Sequence, residues 1–310
     1  MAVPPNILVG GPTASGKTAL ATALAQHIGA EIINADSMQL YKGLEILSAQ
    51  PDAHERAGVP HHLFGVADPS ERWSAGRWTK AALEAVSAIN ARGRKAVFVG
   101  GTGLYFKVLT QGLAPVSPIP SKVRDYTLQL AQKGYEALRN RACELDPDGA
   151  AKIKPGDTQR LIRLIEVVTA TGRTMEDIHA ATRPFIARAD WAGFALRPER
   201  AALYARIEQR FDAMMAQGGL DEVRALHARR LDRHLPAMKA VGVRPLLAHL
   251  DGELELEEAI IQAKTDSRRY AKRQFTWFTN QHADWTRLDA EMPSGNLERI
   301  LATLNLADPA

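Results

Sequence analysis

The sequence has little that could cross-link the chain or hold it in a membrane. Its 310 residues include one cysteine, Cys143, which excludes an internal disulfide and favours a reducing compartment. No apolar run is long enough to span a bilayer, and the first residues lack the basic region of a signal peptide. We therefore expect a cytoplasmic protein without membrane association.

The chain also has little net charge. The formal net charge is +4, which is too small to indicate a nucleic-acid partner by itself. The 45% hydrophobic content is typical of an ordinary globular protein. The sequence has no internal repeat, no low-complexity segment and no coiled-coil pattern. We expect a monomer with one large core or two smaller ones.

The most informative stretch that is present is a phosphate-binding loop. An apolar run leads into it, an Ala/Leu-rich helical pattern follows it, and its residues are Gly11, Pro12, Thr13, Ala14, Ser15, Gly16, Lys17 and Thr18. This is the P-loop spacing, in which backbone N–H groups and a helix N-terminus point at phosphate oxygens. Lys17 can neutralise phosphate charge, and the Thr18 hydroxyl can ligate Mg²⁺. The loop predicts a phosphorylated ligand and leaves open whether that ligand is a nucleotide.

Apolar runs with helical patterns between them indicate the fold class. Continuous apolar runs predict buried parallel strands at Ile7–Gly10, Glu31–Asn34 and Ala96–Val99. One of the intervening helices begins after Ser74, a residue type favoured as a helix N-cap. The order predicts an α/β fold, a P-loop NTPase-like parallel sheet flanked by helices, with ligands at the carboxyl ends of the strands.

The residues that follow the strands argue against a standard ATPase. Nucleotide hydrolases often place an Asp after an apolar strand to hold metal and water, but Gly100, Gly101 and Thr102 follow the third run. Asp36 then remains as the strand-end carboxylate nearest the phosphate loop by topology. The sequence alone leaves open a turn or N-cap role for Asp36 and for Thr102.

A cluster of three prolines predicts a domain boundary at residues 115–120. The following pattern is helical to about residue 189, and Gly193–Leu196 then predicts a returning strand. We therefore predict a catalytic α/β core at 1–119 and 191–310 and an all-helical insertion at 120–190. The core's C-terminal part is predicted to be helical at about 199–217, 219–230 and 255–279.

Basic residues lie at helical spacing among aromatic ones near the C-terminus. Arg268, Arg269, Lys272 and Arg273 are interleaved with Tyr270, Phe275, Trp277 and Phe278. Such a helix can bind phosphates and unstacked bases, or it can be an ordinary amphipathic helix, which the residues alone favour. The helix that carries Gln159–Arg163 can likewise bind a phosphate or simply expose its arginines to water, and the glycine between Lys239 and Arg244 can permit close approach to a phosphate or mark a turn. The adjacent pair His61–His62 has no partners at a metal-ligand spacing, so we predict a structural role for it.

Taken in order, these motifs resemble the tRNA dimethylallyltransferase family. The resemblance covers nearly the whole chain and rests on the P-loop together with Asn34–Gln39, Tyr41–Gly43, Pro60–Leu63, Gly100–Tyr105, Gln159–Arg163, Arg206–Phe211, Lys239–Arg244 and Lys272–Trp277. It implies transfer of the five-carbon prenyl group of dimethylallyl diphosphate to N6 of adenosine 37 in tRNAs that read codons starting with U. It also implies Mg²⁺, a helical insertion that grips the anticodon stem-loop, and a P-loop that binds the donor diphosphate instead of ATP.

The resemblance also assigns roles to individual residues. Asp36 would accept the N6 proton, Thr18 would ligate Mg²⁺, and Thr102 and Arg210 would lie near the bridging oxygen and phosphates of the donor. The segments implied to touch tRNA comprise Asp36, Ser37, Met38, Gln39, Thr102, Arg124, Gln159, Arg160, Leu161, Ile162, Arg163, Lys239, Ala240, Val241, Gly242, Val243, Arg244, Lys272, Arg273, Gln274, Phe275, Thr276, Trp277, Phe278 and Thr279.

The segment Glu45–Pro51 departs from the family pattern, which usually reads Asp-Ile-Gly-Thr-Ala-Lys-Pro there. Gln50 stands where the family usually has a lysine, so a charged role there does not carry over, and Leu47 replaces a glycine. Three other functions remain as alternatives. They are an isopentenyltransferase acting on free AMP or ATP, a small-molecule kinase, and an RNA-binding module with a structural P-loop. The helical insertion and the basic C-terminal helix argue against a mononucleotide acceptor, which needs neither.

Overall fold

A computed structural model describes residues 5–116, 118–289 and 293–306, and the chain divides into two compact units. The first consists of Met1–Thr110 and Ile186–Ala310, and the second of Gln111–Phe185. The sequence placed the limits of the insertion at 120 and 190. The structure starts the second unit earlier because the proline-rich segment contributes to a small core there, where Ala114 and Val116 pack against Ile119.

The first unit is built on a six-stranded parallel sheet. Its strands are β1 (Asn6–Gly10), β2 (Glu31–Asn34), β3 (His61–His62), β4 (Ala96–Gly100), β5 (Trp191–Leu196) and β6 (Thr286–Leu288). The spatial order is β3-β2-β4-β1-β5-β6, and every pair is parallel. The predicted runs at β1, β2, β4 and β5 are strands as expected. The edge strands β3 and β6 were not predicted, because two or three residues carry no periodic signal.

Helices cover both faces of this sheet. Alternate residues of one strand enter different cores, so Ile7 and Val9 lie in one cluster and Leu8 in the other. The helices of this unit are α1 (Lys17–Ile28), α2 (Ala53–Arg56), α3 (Ala75–Ala91), α4 (Gly103–Gln111), α10 (Arg200–Ala216), α11 (Gly219–Ala228), α12 (Val243–Leu250), α13 (Leu256–Gln281) and α14 (Pro293–Thr303). Short 3₁₀ helices occupy Arg188–Asp190 and Pro236–Lys239.

The second unit is helical throughout its described secondary structure. It contains α5 (Ser121–Gln132), α6 (Tyr135–Leu145), α7 (Pro147–Ala151), α8 (Thr158–Thr171) and α9 (Met175–Ala180). Its main core includes Leu138, Leu161 and Leu164. The buried carboxylate of Asp146 accepts hydrogen bonds from the backbone N–H groups of Gly149 and Met175, which ties α9 to the start of α7.

The adjacent histidines lie in the sheet. His61 and His62 form β3, and His62 Nε2 lies 2.7 Å from a carboxylate oxygen of Glu31 on β2. The described residues include no cluster of three or more His, Cys, Asp or Glu side chains that could hold a metal ion. Among the described helices, none is both long enough and apolar enough to cross a membrane.

Candidate active site

The phosphate loop joins β1 to α1 at the carboxyl edge of the sheet. Gly16 has φ 85°, a left-handed conformation that glycine adopts without strain, and α1 begins at the next residue. The buried ammonium of Lys17 donates a hydrogen bond of 3.2 Å to the Pro12 carbonyl. The buried hydroxyl of Ser15 has no hydrogen-bond partner among the described residues. The loop therefore combines a helix N-terminus, a cation and an unsatisfied donor, as an anion site requires.

Two cations and one carboxylate interact electrostatically at this loop. Burial lowers the pKa of Lys17 to about 8, although Asp36 raises it and Arg210 lowers it further. Burial also lowers the pKa of Arg210 below its usual value, while Asp36 opposes that shift. Arg210 donates a hydrogen bond to the Thr13 hydroxyl. Desolvated positive charge of this kind interacts strongly with an anionic ligand.

Asp36 follows β2 and is held in a fixed position. Its backbone N–H donates to Asn34 Oδ1 at 2.7 Å, and Asn34 Nδ2 donates to its carbonyl at 3.0 Å. Asp36 Oδ1 accepts the Met38 N–H at 3.0 Å, and the residue is only 9% exposed. This turn leaves the second carboxylate oxygen, Oδ2, for a ligand.

Thr102 lies beside Asp36 at the end of β4. Its hydroxyl accepts the Ser37 N–H at 2.9 Å and donates to the Ser37 hydroxyl at 3.2 Å. Burial and the charge of Asp36 raise the pKa of Tyr270, whose hydroxyl interacts with Thr102 and Gln274. The two strand ends and α13 therefore meet in one hydrogen-bonded network.

Helix α13 closes over the ends of β1 and β4. Gln274 donates to the Gly101 carbonyl at 3.0 Å and accepts the Thr13 N–H at 2.8 Å, so it bridges the phosphate loop and the β4 loop. A Cβ at position 101 would lie 2.0 Å from Gln274 Nε2, so any side chain there would displace the Gln274 amide from this bridge. Close approach to α13 is thus one reason why glycines follow β4.

Two cavities open from this network. The cavity around the phosphate loop is lined by residues 14–19, by residues 45, 46, 49–53, 55 and 56, and by Arg206, Arg210, Ala213, Met214 and Gln217. A second, smaller cavity has Thr13, Asp36 and Arg210 in its wall and exposes polar and apolar groups in nearly equal measure. Its remaining lining consists of Met38, Leu47, Ser48, Ile207, Phe211, Met214, Ala240, Val241, Ser267 and Tyr270. Phosphate-binding groups and the candidate base thus border one cavity that also has apolar side chains in its wall.

Several residues from the predicted tRNA segments point into the core. Leu161 and Val243 are fully buried, and Phe278 is 3% exposed and packs against Gly10. Ala240 and Gln274 are also buried. Only part of each segment faces outward, because helix phase turns the other residues inward, and the contact of these segments with tRNA stays a prediction.

The outward-facing residues of those segments include the basic ones. Lys239, Arg244, Lys272 and Arg273 are exposed, and none has a carboxylate within ion-pair distance among the described residues. In contrast, Arg268 pairs with Glu208, and Arg269 lies 3.4 Å from Asp266. Ser37, Met38, Gln39, Val241, Phe275, Trp277 and Thr279 are half-buried, Thr276 is exposed, and Gly242 is buried.

In the second unit, the predicted polar residues all face solvent. Arg124, Gln159, Arg160 and Arg163 are exposed, and Ile162 is half-buried. Arg160 lies 3.3 Å from Asp157, and Arg163 lies 3.9 Å from Glu166 on the same helix. Such exposed pairs contribute little to stability and leave the arginines able to exchange partners.

Sequence reasoning missed three contributors to the site. Arg206 lines the phosphate cavity, and its buried Nε and Nη2 have no hydrogen-bond partner among the described residues. Tyr270 and Leu47 line the second cavity. Arg206 lies four residues before Arg210, a spacing that puts both on one helical face and would have indicated a shared role.

A parallel sheet that presents a phosphate loop opposite a strand-end carboxylate defines the chain as a P-loop α/β enzyme. The family model described as IPP transferase matches residues 39–281, and one described as isopentenyl transferase matches residues 6–61. The tRNA dimethylallyltransferase of Phenylobacterium zucineum is 53% identical over 95% of this chain and 96% of its own. That of Maricaulis maris is 50% identical over 98% and 97%. The chain belongs to the IPP transferase family.

Solved structures agree with this assignment. A tRNA isopentenylpyrophosphate transferase from Bacillus halodurans is similar with a TM-score of 0.71 and 33% identity, covering 97% of this chain and 96% of that one. A eukaryotic dimethylallyltransferase that acts on tRNA has a TM-score of 0.84 and 28% identity, covering 96% of this chain and 78% of that one. The family and the P-loop α/β fold predicted from the sequence are thus confirmed.

Proposed function

We propose that this chain transfers the dimethylallyl group of dimethylallyl diphosphate to N6 of adenosine 37 in tRNA and releases diphosphate. The observation that carries the proposal is the second cavity, in which Thr13, Arg210 and Asp36 lie beside apolar side chains such as Ile207 and Phe211. A prenyl donor needs anion-binding groups, an apolar space and an adjacent base, and this cavity combines all three. The names of the relatives support the choice of donor and acceptor. A tRNA acceptor agrees with the cytoplasmic location expected from the sequence.

The phosphate loop binds the diphosphate in this proposal. Backbone N–H groups, Lys17 and Arg210 interact with its oxygens, and the unsatisfied hydroxyl of Ser15 supplies a further donor. These groups stabilise the negative charge that builds on the leaving group as the bond between the prenyl carbon and oxygen breaks. Arg206 adds positive charge to the wall of the same cavity.

Asp36 acts as the proton acceptor. The N6 amino group of adenine is a poor nucleophile, because its lone pair is delocalised into the ring. As the bond from N6 to the prenyl carbon forms, the nitrogen must lose a proton, and Asp36 Oδ2 receives it. The bond from Asn34 fixes the backbone of Asp36 and the Met38 N–H fixes its carboxylate, so little reorganisation is needed during the reaction. Thr102 steadies the turn through Ser37.

The donor atoms of the site fit a magnesium ion that is shared with the substrate. Mg²⁺ prefers oxygen ligands, keeps several waters, and is commonly held by one or two protein groups plus substrate phosphates. Thr18 provides such an oxygen at the first turn of α1, and no cluster of protein ligands is needed. When bound, the ion would neutralise charge on the diphosphate.

The exposed basic residues favour a tRNA acceptor over a free nucleotide. Lys239, Arg244, Lys272 and Arg273 have no carboxylate partner among the described residues, so they are available to phosphates. A helical unit that presents Arg124, Gln159, Arg160 and Arg163 to solvent adds further contacts to the anticodon stem-loop. A mononucleotide would use neither set.

One assay tests the proposal against its alternatives. The protein is incubated with Mg²⁺, labelled dimethylallyl diphosphate and either tRNA carrying an unmodified adenosine 37, AMP or ATP. We expect label in tRNA at that adenosine, located by nuclease digestion and mass spectrometry. Label in AMP or ATP without label in tRNA would support an adenylate isopentenyltransferase. ATP turnover without prenyl transfer would support a kinase, and binding of tRNA without either reaction would support an RNA-binding module.

A further inference from the structure

Arg197 directly follows β5 at the carboxyl edge of the sheet. The carbonyl oxygen of the preceding residue, Leu196, lies 3.3 Å from the position that a Cβ on Gly11 would take, so the chain runs beside the phosphate loop here. Arg197 lines neither the cavity around the phosphate loop nor the second cavity. Its guanidinium therefore lies near the donor site without being part of it.

Helix α13 holds the side chain of Arg197 in place. Arg197 Nη2 donates a hydrogen bond of 2.8 Å to Thr279 Oγ1, and the guanidinium carbon lies 5.1 Å from the centre of the Phe275 ring. All three residues are half-buried. A guanidinium has five N–H donors, and this arrangement occupies one of them. The positive charge is thus fixed in position while donors remain for a ligand.

A second arginine, Arg287 on β6, lies beside Arg197. Ala195 pairs with Arg287 in the parallel register, and Arg197 comes two residues after Ala195, so both arginines lie on one face of the sheet. Burial is the main cause that lowers the pKa of Arg197 below its usual value, and the charge of Arg287 lowers it further. An anion bound by both arginines would remove the repulsion between them.

No carboxylate neutralises this pair of arginines among the described residues. Neither has an acidic side chain within ion-pair distance there. Glu199, which is close to Arg197 in sequence, caps α10 by accepting the Ala202 N–H at 2.8 Å. On α13, the exposed Lys272 lies three residues before Phe275, on the same helix face. Lys272, Arg197 and Arg287 therefore form a row of cations beside α13.

We propose that Arg197 and Arg287 together bind one backbone phosphate in the anticodon arm of the tRNA substrate. The inference rests on the proposed function in taking tRNA as the partner. A phosphate can accept hydrogen bonds from both guanidinium groups and supplies the negative charge that the pair lacks. A row of cations matches the repeated phosphates of a nucleic-acid strand better than it matches a single free anion. The RNA-binding surface thus extends from α13 to the edge strand β6.

The first test measures the affinity for unmodified tRNA and its dependence on salt. Arg197→Gln with Arg287→Gln should weaken binding at low salt about tenfold or more, because hydrogen bonds to a charged group are lost. The slope of log K against log salt should flatten by about 0.7–0.9, the change expected for one phosphate. Arg72→Gln with Arg229→Gln removes the same charge and is the matched control. These two arginines already pair with Asp232 and Asp68, so the slope should not change.

The second test locates the phosphate. Single methylphosphonate linkages, which carry no charge, are placed in turn through the anticodon arm of the tRNA. At one position the substitution should weaken binding to the wild type about tenfold and weaken binding to the double variant no further. If the double variant does not fold, Arg287→Gln decides, because Arg287 is exposed. A smaller loss of affinity in the same direction is then expected.

A purely structural role for the arginines gives a different result. Cations near the end of a helix can balance the carbonyl groups of its last turn, and Thr279 lies in the last turn of α13. Lower thermal stability with wild-type tRNA affinity and salt slope would therefore overturn the proposal, as would a phosphate scan without the expected position. A wild type that binds tRNA through these arginines but transfers no prenyl group would overturn the proposed function alone.

Discussion

The side-chain oxygen of Gln274 accepts a hydrogen bond of 2.8 Å from the backbone N–H of Thr13. Helix α13 thereby holds the phosphate loop directly, and the amide nitrogen of the same side chain holds the Gly101 carbonyl at 3.0 Å. Three residues further along the helix, Trp277 packs against Gly103. The helix that carries Lys272 and Arg273 on its outer face thus also shapes the donor site from its inner face.

Replacing Gln274 by leucine should weaken donor binding. The change leaves the Thr13 N–H and the Gly101 carbonyl without their partner, and each unsatisfied buried group costs about 1–3 kcal/mol. We expect KM for dimethylallyl diphosphate to rise about tenfold or more. The dissociation constant for tRNA should change much less. Gln281→Leu is the matched control, because Gln281 lies on the same helix and interacts with Lys107 instead. Equal effects from both variants would contradict the bridging role.

Asp36→Asn should remove the proton acceptor while keeping its shape. The amide oxygen can still accept the Met38 N–H, so the turn should persist. General base catalysis typically contributes about 10²–10⁴-fold, and we expect single-turnover transfer to fall by that factor. The transfer rate should be measured below pH 7, because losing the negative charge of Asp36 also lowers the pKa of Lys17. Unchanged tRNA binding with wild-type transfer would remove Asp36 from its assigned role.

Donor affinity should fall as pH rises through about 8. Burial lowers the pKa of Lys17 to about 8, and only the protonated form attracts the diphosphate strongly. Above that pH, the free protein must take up a proton to bind. The dissociation constant of dimethylallyl thiolodiphosphate should therefore rise toward tenfold per pH unit, or about 1.4 kcal/mol. Lys17→Arg does not titrate in this range and should show only the ligand's own pH dependence. Parallel curves for both proteins would contradict the prediction.

The salt dependence of tRNA binding should distinguish two pairs of basic residues on α13. Lys272 and Arg273 have no carboxylate partner among the described residues, whereas Arg268 and Arg269 have Glu208 and Asp266. In a plot of log K against log salt, Lys272→Ala with Arg273→Ala should flatten the slope by about 0.7–0.9 for each phosphate that the protein no longer neutralises. Arg268→Ala with Arg269→Ala should change it less. The same slope in both double variants would mean that α13 is an ordinary solvated helix at these positions.

The sequence predicted the sheet well because its central strands are buried on both faces. Runs such as Ile7–Gly10 and Ala96–Val99 are apolar throughout and therefore stand out. Helix α12 was not predicted, and Gly242 and Pro245 both lie at its start. The structure shows that both are compatible with a helix start, since the glycine is the N-cap and the proline lies in the first turn.

The candidate site was predicted in its segments but not in its side-chain directions. Ser267, Ala271, Gln274 and Phe278 are all buried, and their spacing of four, three and four residues marks the inner stripe of α13. That pattern places Gln274 on the buried side of the helix. Its hydrogen-bond partners there belong to loops that only the folded chain brings close. Hydrogen bonds such as those from the Ile46 and Leu47 N–H groups to Glu222 join residues far apart in the chain, so no local sequence pattern predicts them.

Glu31→Gln should destabilise the fold in a pH-dependent way. This buried carboxylate of β2 lies 2.7 Å from Arg92, 2.7 Å from His62 and 3.6 Å from Arg94. The hydrogen bonds from Arg92 contribute most to holding the pKa of Glu31 below its usual value. The charged Glu31 therefore stabilises the fold fully above the pKa of an unfolded glutamate, and this stabilisation is lost as pH falls through the pKa in the folded protein. At pH 7 we expect a loss of about 2 kcal/mol in urea unfolding, less than for a fully buried pair because the arginines are half-exposed. The free energies of unfolding of the two proteins should converge as pH falls below 4.5, the value for an unperturbed glutamate.

The exposed Glu84 on α3 gives a control for this prediction. Glu84→Gln should show neither the loss of stability nor its pH dependence. A difference in unfolding free energy between wild type and Glu31→Gln that is constant at all pH values would indicate packing rather than charge.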